Sequence, residues 1–188
     1  MRGEFLREEG GFTLPELMVT MVMMLTVLFA LYSIFDMSLR VFSFGSDKVE
    51  AVENARLGLE KVERELRGAY PYDQAGGEEV LFPSFGPNPS RTITFGNDLD
   101  GNRMVDVPEE QITYTLSASG SRRALLRNGQ PTAEFVEPGG LTFEYLDEFG
   151  GPATDEAGVS LVRIELRVDV NGSVQILATD VALRNRGT

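Results

Sequence analysis

The stretch from Val49 to Ala69, VEAVENARLGLEKVERELRGA, decides the fold. Val49, Val52, Leu59, Val62, Leu66 and Ala69 recur at mostly three- and four-residue spacings, and Ala55 fills the gap. Glu50, Glu53, Arg56, Lys61 and Arg64 lie between them. That pattern is an amphipathic helix with one apolar stripe, and such a stripe needs a surface to cover.

The surface lies downstream. From Tyr70 onward the chain changes to short runs rich in β-branched and aromatic residues: RTITF (91–95), QITYTL (111–116), RALLR (123–127), LTFEYL (141–146), SLVRIELRVDV (160–170) and SVQILATDVAL (173–183). Each reads as a strand. GPNPS, DLDGN, RNGQP, PGG, FGGP and NG separate them as turn signals, and Asn171-Gly172 between two long runs is the strongest hairpin signal. Tight turns favour antiparallel pairing. The expected fold class is therefore α+β: an antiparallel meander sheet, residues 70–188, with residues 36–69 as its amphipathic helical cover in one domain.

Upstream, Phe12 to Phe35 is an apolar run of 24 residues whose only charged side chain is Glu16. At ~1.5 Å per residue a helix of this length crosses a hydrocarbon core of ~30 Å. A secretory signal peptide has a shorter apolar stretch and a small-residue cleavage site, and neither fits. Met18, Met21, Met23 and Met24 read as apolar filler. The run and the amphipathic stretch together predict one long helix over residues 13–68, with a bend expected near Gly45 and an end at Pro71. Charge does not decide its orientation, because Arg2 and Arg7 are offset by Glu4, Glu8 and Glu9, and Arg40 and Lys48 lie on the far side. A carboxylate at the mouth of a span is costly, which makes Glu16 a functional candidate.

Composition narrows the function classes. The formal net charge is −12 and the pI near 4.5. Nucleic-acid binding through a basic face needs clustered Lys and Arg, so it is not expected. The chain has no Cys and no His. That removes disulfides, thiolate chemistry, the commonest general base and the commonest transition-metal ligand. No enzymatic activity is expected.

DLDGNRMVDVPE (98–109) carries a separate motif. Asp98, Asp100, Asn102, Asp106 and Glu109 fall at positions 1, 3, 5, 9 and 12 of an EF-hand-type calcium loop, and Met104 would offer its backbone carbonyl at position 7. Arg103 stands where the loop requires glycine, and strands rather than helices flank it. The same composition suits a surface turn that needs no ion. Calcium is thus one expectation of the sequence; no other cofactor is required.

GGFTLPEL, followed by an apolar run, an amphipathic helix and a β-rich C-terminal part, resembles the type IV prepilins and type II secretion pseudopilins. Gly11, Phe12 and Glu16 match the processing motif of that family: a Gly, a Phe, and a Glu four residues after the Phe. ERELRGAYPYD, the strands ending at Tyr145 and Leu146, and the closing DVALRN look more like a minor pilin or J-type pseudopilin than a major pilin. The resemblance implies that residues 1–11 are a leader cut after Gly11 by a prepilin peptidase, with methylation of the new amine on Phe12. It implies that residues 12–35 anchor the chain in the bacterial cytoplasmic membrane as a single pass, with the C-terminal domain outside. An assembly platform in the inner membrane would then add the subunit to a filament through its N-terminal helix, alongside other pilins or pseudopilins. The leader departs from the family pattern in being net acidic, and Pro15 lies in the first turn, where proline is tolerated.

Glu16 acquires a partner on this reading. Cleavage creates an ammonium at Phe12, one helical turn away, and the two can meet within one chain or between neighbours. In a filament core, pairing offsets much of the cost of burying either charge. The expected function is a minor pilin or pseudopilin that initiates or primes assembly. The alternatives are a type II secretion pseudopilin at the pseudopilus tip and a tip module that captures DNA, a surface or a secreted protein; no aromatic-basic cluster supports DNA capture.

Overall fold

The computed structural model describes residues 11–74, 78–83, 85–86, 90–102, 104–117, 123–170 and 172–184; of residues 72–74, 78 and 79 it describes the backbone alone. The chain is α+β: one long helix, α1 (Leu14–Arg67), packs on a six-stranded antiparallel sheet. Two compact units divide at the middle of α1, Met1–Gly45 and Ser46–Thr188.

Leu17 N–H donates to Thr13 O at 3.1 Å and opens the helix, so Pro15 sits in a first turn whose donors have no helical partner anyway. In the first unit the large apolar side chains from Phe12 to Phe44 are exposed, and the helix is long and apolar enough to cross a membrane. In the second unit α1 buries Ala51, Ala55, Gly58, Leu59, Val62 and Leu66. Val49, expected to open the stripe, is exposed, and Val52 is half-buried against the core. The upper part of the stripe is made of small residues instead. A Cβ on Gly58 would lie 2.6 Å from the Cβ of Ala133, so the helix backbone rides directly on the sheet there. Fully burying a Leu66 or a Val62 is worth ~1.5–3 kcal/mol. Gly68 N–H to Glu65 O and Ala69 N–H to Leu66 O tighten the last turn, and Pro71 follows.

A short hairpin, β1 (Tyr72–Gln74) with β2 (Glu78–Val80), comes next. The sheet then runs β3 (Thr92–Gly96), β4 (Gln111–Leu116), β5 (Arg123–Arg127), β6 (Gln130–Leu146), β7 (Leu161–Val170) and β8 (Ser173–Ala182), each strand antiparallel to the one before it. The meander order is therefore as the turn signals predict. Strand β7 shows the alternation most plainly: Val162, Ile164, Leu166, Val168 and Val170 are buried, while Arg163 and Arg167 are exposed. The β7–β8 register closes at Val170↔Ser173, and Gly172 takes φ 82° before Ser173; Asn171 of the expected hairpin turn lies outside the described residues.

The sheet departs from expectation at β6. PTAEFVEPGG, expected to contain a turn at PGG, lies within this 17-residue strand. The pairing Val136↔Val168 is followed by Leu141↔Leu166, so a bulge absorbs the extra residues of β6. Gly139 takes φ 78° there, and the Arg167 carbonyl comes within 2.8 Å of where a Cβ of Gly140 would stand. Glycine and proline signal a bulge in this place rather than a reversal. The reversal itself is Asn128-Gly129, with φ values of 47° and 80°, as in a type I′ hairpin turn.

Candidate functional site

Two regions carry the residues singled out by the sequence. The first is the entrance to α1. Gly11 to Thr13 lie outside the helix, and Glu16 falls in its first turn. Among the described residues, and apart from its chain neighbours, no heavy atom stands within 4 Å of a Cβ built on Gly11, and Phe12 is 77 % exposed. The Gly11–Phe12 bond is thus an accessible, non-helical peptide immediately before a helix. Glu16 is exposed as well, and a carboxylate in the first turn is favoured by the N–H groups that point out of the helix end. Residues 1–10 of the expected leader lie outside the described residues.

The second region is the loop between β3 and β4. Its turns are closed by side chains: Gly101 N–H donates to Asp98 Oδ1 at 2.7 Å, Asn102 N–H to Asp100 Oδ1 at 2.9 Å, and Met104 N–H to Asn102 Oδ1 at 2.6 Å. Its organiser is a residue outside the motif. Glu110 is only 6 % exposed, and its carboxylate accepts the N–H groups of Leu99 (2.8 Å), Asp100 (3.2 Å) and Asp106 (3.0 Å). Asp98, Asp100 and Glu110 each bring a carboxylate oxygen within 4.8 Å of the others.

The expected ligand set is rearranged accordingly. Glu109, placed by spacing at position 12, is exposed and outside this group; Glu110 points inward because its own N–H bonds Asp106 O at 2.7 Å and winds a turn just before β4. Asn102, Met104 and Asp106 are exposed, and Arg103 lies outside the described residues. A hard cation with 6–8 oxygen ligands is compatible with three converging carboxylates. Glu110, though, already accepts three N–H bonds of the roughly four its carboxylate can take. It can therefore offer one oxygen lone pair but not the bidentate grip of an EF-hand glutamate.

A third cluster was not legible in the sequence. Glu65, in the last turns of α1, receives Tyr114 Oη–H from β4 at 2.6 Å and Arg127 Nε–H from β5 at 2.9 Å. Burial and then the Glu65 carboxylate push the Tyr114 phenol well above its ordinary range, and the same carboxylate raises Arg127. The trio fixes the end of α1 to two strands. No spacing rule could have found it, since the partners lie 49 and 62 residues from Glu65.

No protein-family model matches this chain and no curated protein matches it, so its function is argued from its own residues.

Proposed function

We propose that the chain is a minor pilin or pseudopilin, a structural subunit that a prepilin peptidase trims after Gly11 and that helps to initiate a type IV pilus or related filament. The observation that carries this reading is the placement of Gly11, Phe12 and Glu16: an exposed, non-helical bond directly before an apolar helix, with one carboxylate in the first turn. An ordinary membrane anchor accounts for the apolar run but gives no reason for Glu16. Before assembly the first part of α1 stands in the cytoplasmic membrane with the sheet domain outside; the new Phe12 ammonium, commonly methylated in the family, pairs with Glu16 as the helix leaves lipid for the filament. Calcium on Asp98, Asp100 and Glu110 is a secondary element of the proposal.

The test is the mass of the mature chain isolated from membranes with and without a prepilin peptidase. A chain beginning at Phe12 only when the peptidase is present supports the reading. Gly11→Val, which crowds the cut, is expected to leave a full-length precursor; a trimmed product from that variant overturns the assigned site. Deleting the gene and scoring pili against protein secretion separates a pilus subunit from a secretion pseudopilin.

A further inference from the structure

We propose that Asp36 and Arg40, one turn apart on the first part of α1, form a site for a phospholipid headgroup that carries both a phosphate and a primary ammonium, as phosphoethanolamine does. The inference rests on the reading of this helix as a membrane span and deepens it by naming the lipid.

Height along the helix decides where the two charges stand. With Leu14 at one edge of a hydrocarbon core of ~30 Å, a rise of ~1.5 Å per residue brings α1 out of the core near Ile34. Asp36 then stands about 3 Å and Arg40 about 9 Å beyond the core. The headgroup layer on that side is ~5–7 Å deep. Arg40 Nε–H donates to Asp36 Oδ2 at 3.0 Å, so the guanidinium leans back towards the lipid, to a height between the two residues. Both charges are thereby held at the level of the headgroups. Tyr32, about 3 Å inside the edge of the core, lies where interfacial aromatic residues are enriched.

An ion pair of this spacing on a helix is ordinary by itself. This one keeps free valences on both members. Arg40 has five N–H donors and commits one to Asp36. Its side chain is 80 % exposed and that of Asp36 45 %. The terminal guanidinium nitrogens form a planar fork that fits phosphate oxygens. The Asp36 carboxylate retains lone pairs that suit a cationic donor.

The order of the charges selects the headgroup. A purely anionic headgroup gains Arg40 but is repelled by Asp36. A headgroup with phosphate and ammonium meets both with the opposite sign, phosphate on Arg40 and ammonium on Asp36. A quaternary ammonium has no N–H to donate to the carboxylate, so a primary one makes the stronger pair.

For the test, the full-length chain in nonionic detergent is mixed with phosphatidylethanolamine, phosphatidylcholine or phosphatidylglycerol of the same acyl chains, and retained lipid is counted by native mass spectrometry. Retention of the ethanolamine lipid is expected to exceed that of the other two several-fold. Asp36→Asn should bring it down to the level of the choline lipid, and Arg40→Gln should lower all three. Equal retention of the three lipids by the parent chain, a preference for the glycerol lipid, or an undiminished ethanolamine preference in Asp36→Asn overturns the site. Height is checked separately. The chain contains no cysteine, so single cysteines report without background. A membrane-impermeant maleimide added on the side of the sheet domain is expected to label Ser43→Cys, about 13 Å beyond the core, and to spare Ser33→Cys, just inside it; equal labelling overturns the placement. A chain that prefers the ethanolamine lipid but is not trimmed after Gly11 keeps this site and overturns the filament reading; a trimmed chain without the preference does the reverse.

Discussion

Replacing Glu65 with alanine removes the one acceptor shared by Tyr114 and Arg127. Glu65 is 16 % exposed and Arg127 26 %, while Tyr114 is fully buried. Breaking a buried ion pair costs ~3–5 kcal/mol, and a buried donor left unpaired costs ~1–3 kcal/mol. Arg127 is open enough to recover water, which moves the total to the lower end, about 3 kcal/mol. For a chain of this size that corresponds to a fall in Tm of roughly 6–12 °C. Tyr114→Phe, which removes one hydrogen bond and leaves the ion pair, is expected to cost about 1 kcal/mol. The assay is urea unfolding of the full chain in nonionic detergent, followed by near-ultraviolet circular dichroism. The pH dependence gives an independent check. The phenols of Tyr114 and Tyr145 are both raised in the fold, Tyr145 to about 12, chiefly by burial. An unfolded tyrosine releases its proton near pH 10. Both groups therefore contribute fully below pH 10, and stability falls as pH rises above it, by about 1.4 kcal/mol per pH unit for each tyrosine. Tyr114→Phe should halve that alkaline slope. A Glu65→Ala variant within 0.5 kcal/mol of the parent, the range of ordinary surface changes, or an unchanged slope in Tyr114→Phe, refutes the account.

Glu16→Ala is expected to be cleaved and folded normally but to enter filaments poorly, because the Phe12 ammonium loses its partner at a cost of ~3–5 kcal/mol once buried; Glu16→Gln should fail likewise, and wild-type assembly by both would exclude charge pairing. Gly58→Ala gains helix propensity of about 1 kcal/mol but drives a methyl into Ala133, so a net loss of ~1–2 kcal/mol is expected in the same unfolding assay, and a gain would show that the close approach is not tight. If calcium occupies the loop of residues 98–110, millimolar calcium raises Tm over EDTA, by the equivalent of ~2.7 kcal/mol at 100 Kd, and Asp98→Ala with Asp100→Ala removes the shift. An unchanged Tm in the parent chain assigns the loop to Glu110 and its three backbone N–H groups alone.

Much of the architecture was legible because its signals are local. A helix over 13–68 was expected and α1 spans Leu14–Arg67; the runs 111–116 and 123–127 are strands with those same limits. What escaped has a common physical origin in contacts distant along the chain. Ala51, Ala55 and Gly58 carry little hydrophobic signal, and only the sheet backbone lying against them explains why small residues outrank Val49. Pro138-Gly139-Gly140 reads as a turn until β7 is seen to hold both sides of the bulge. The neighbours Glu109 and Glu110 are equivalent in composition, and a single turn of backbone decides which points inward.

The bond from Thr179 Oγ1 to Glu63 Oε2, 3.5 Å long, joins residues 116 positions apart. The residue of β8 that meets Glu63 thus leaves the ribosome 116 positions after it. Until β8 has emerged, Leu59, Val62 and Leu66 face an incomplete sheet, and the nascent chain carries an uncovered apolar ridge. Long-range closure of this kind is slow, and ridges left open invite association with the wrong surface. A ribosome stalled before residue 173 should therefore present a chain that holdase chaperones bind and proteases trim, and emergence of β8 should end both.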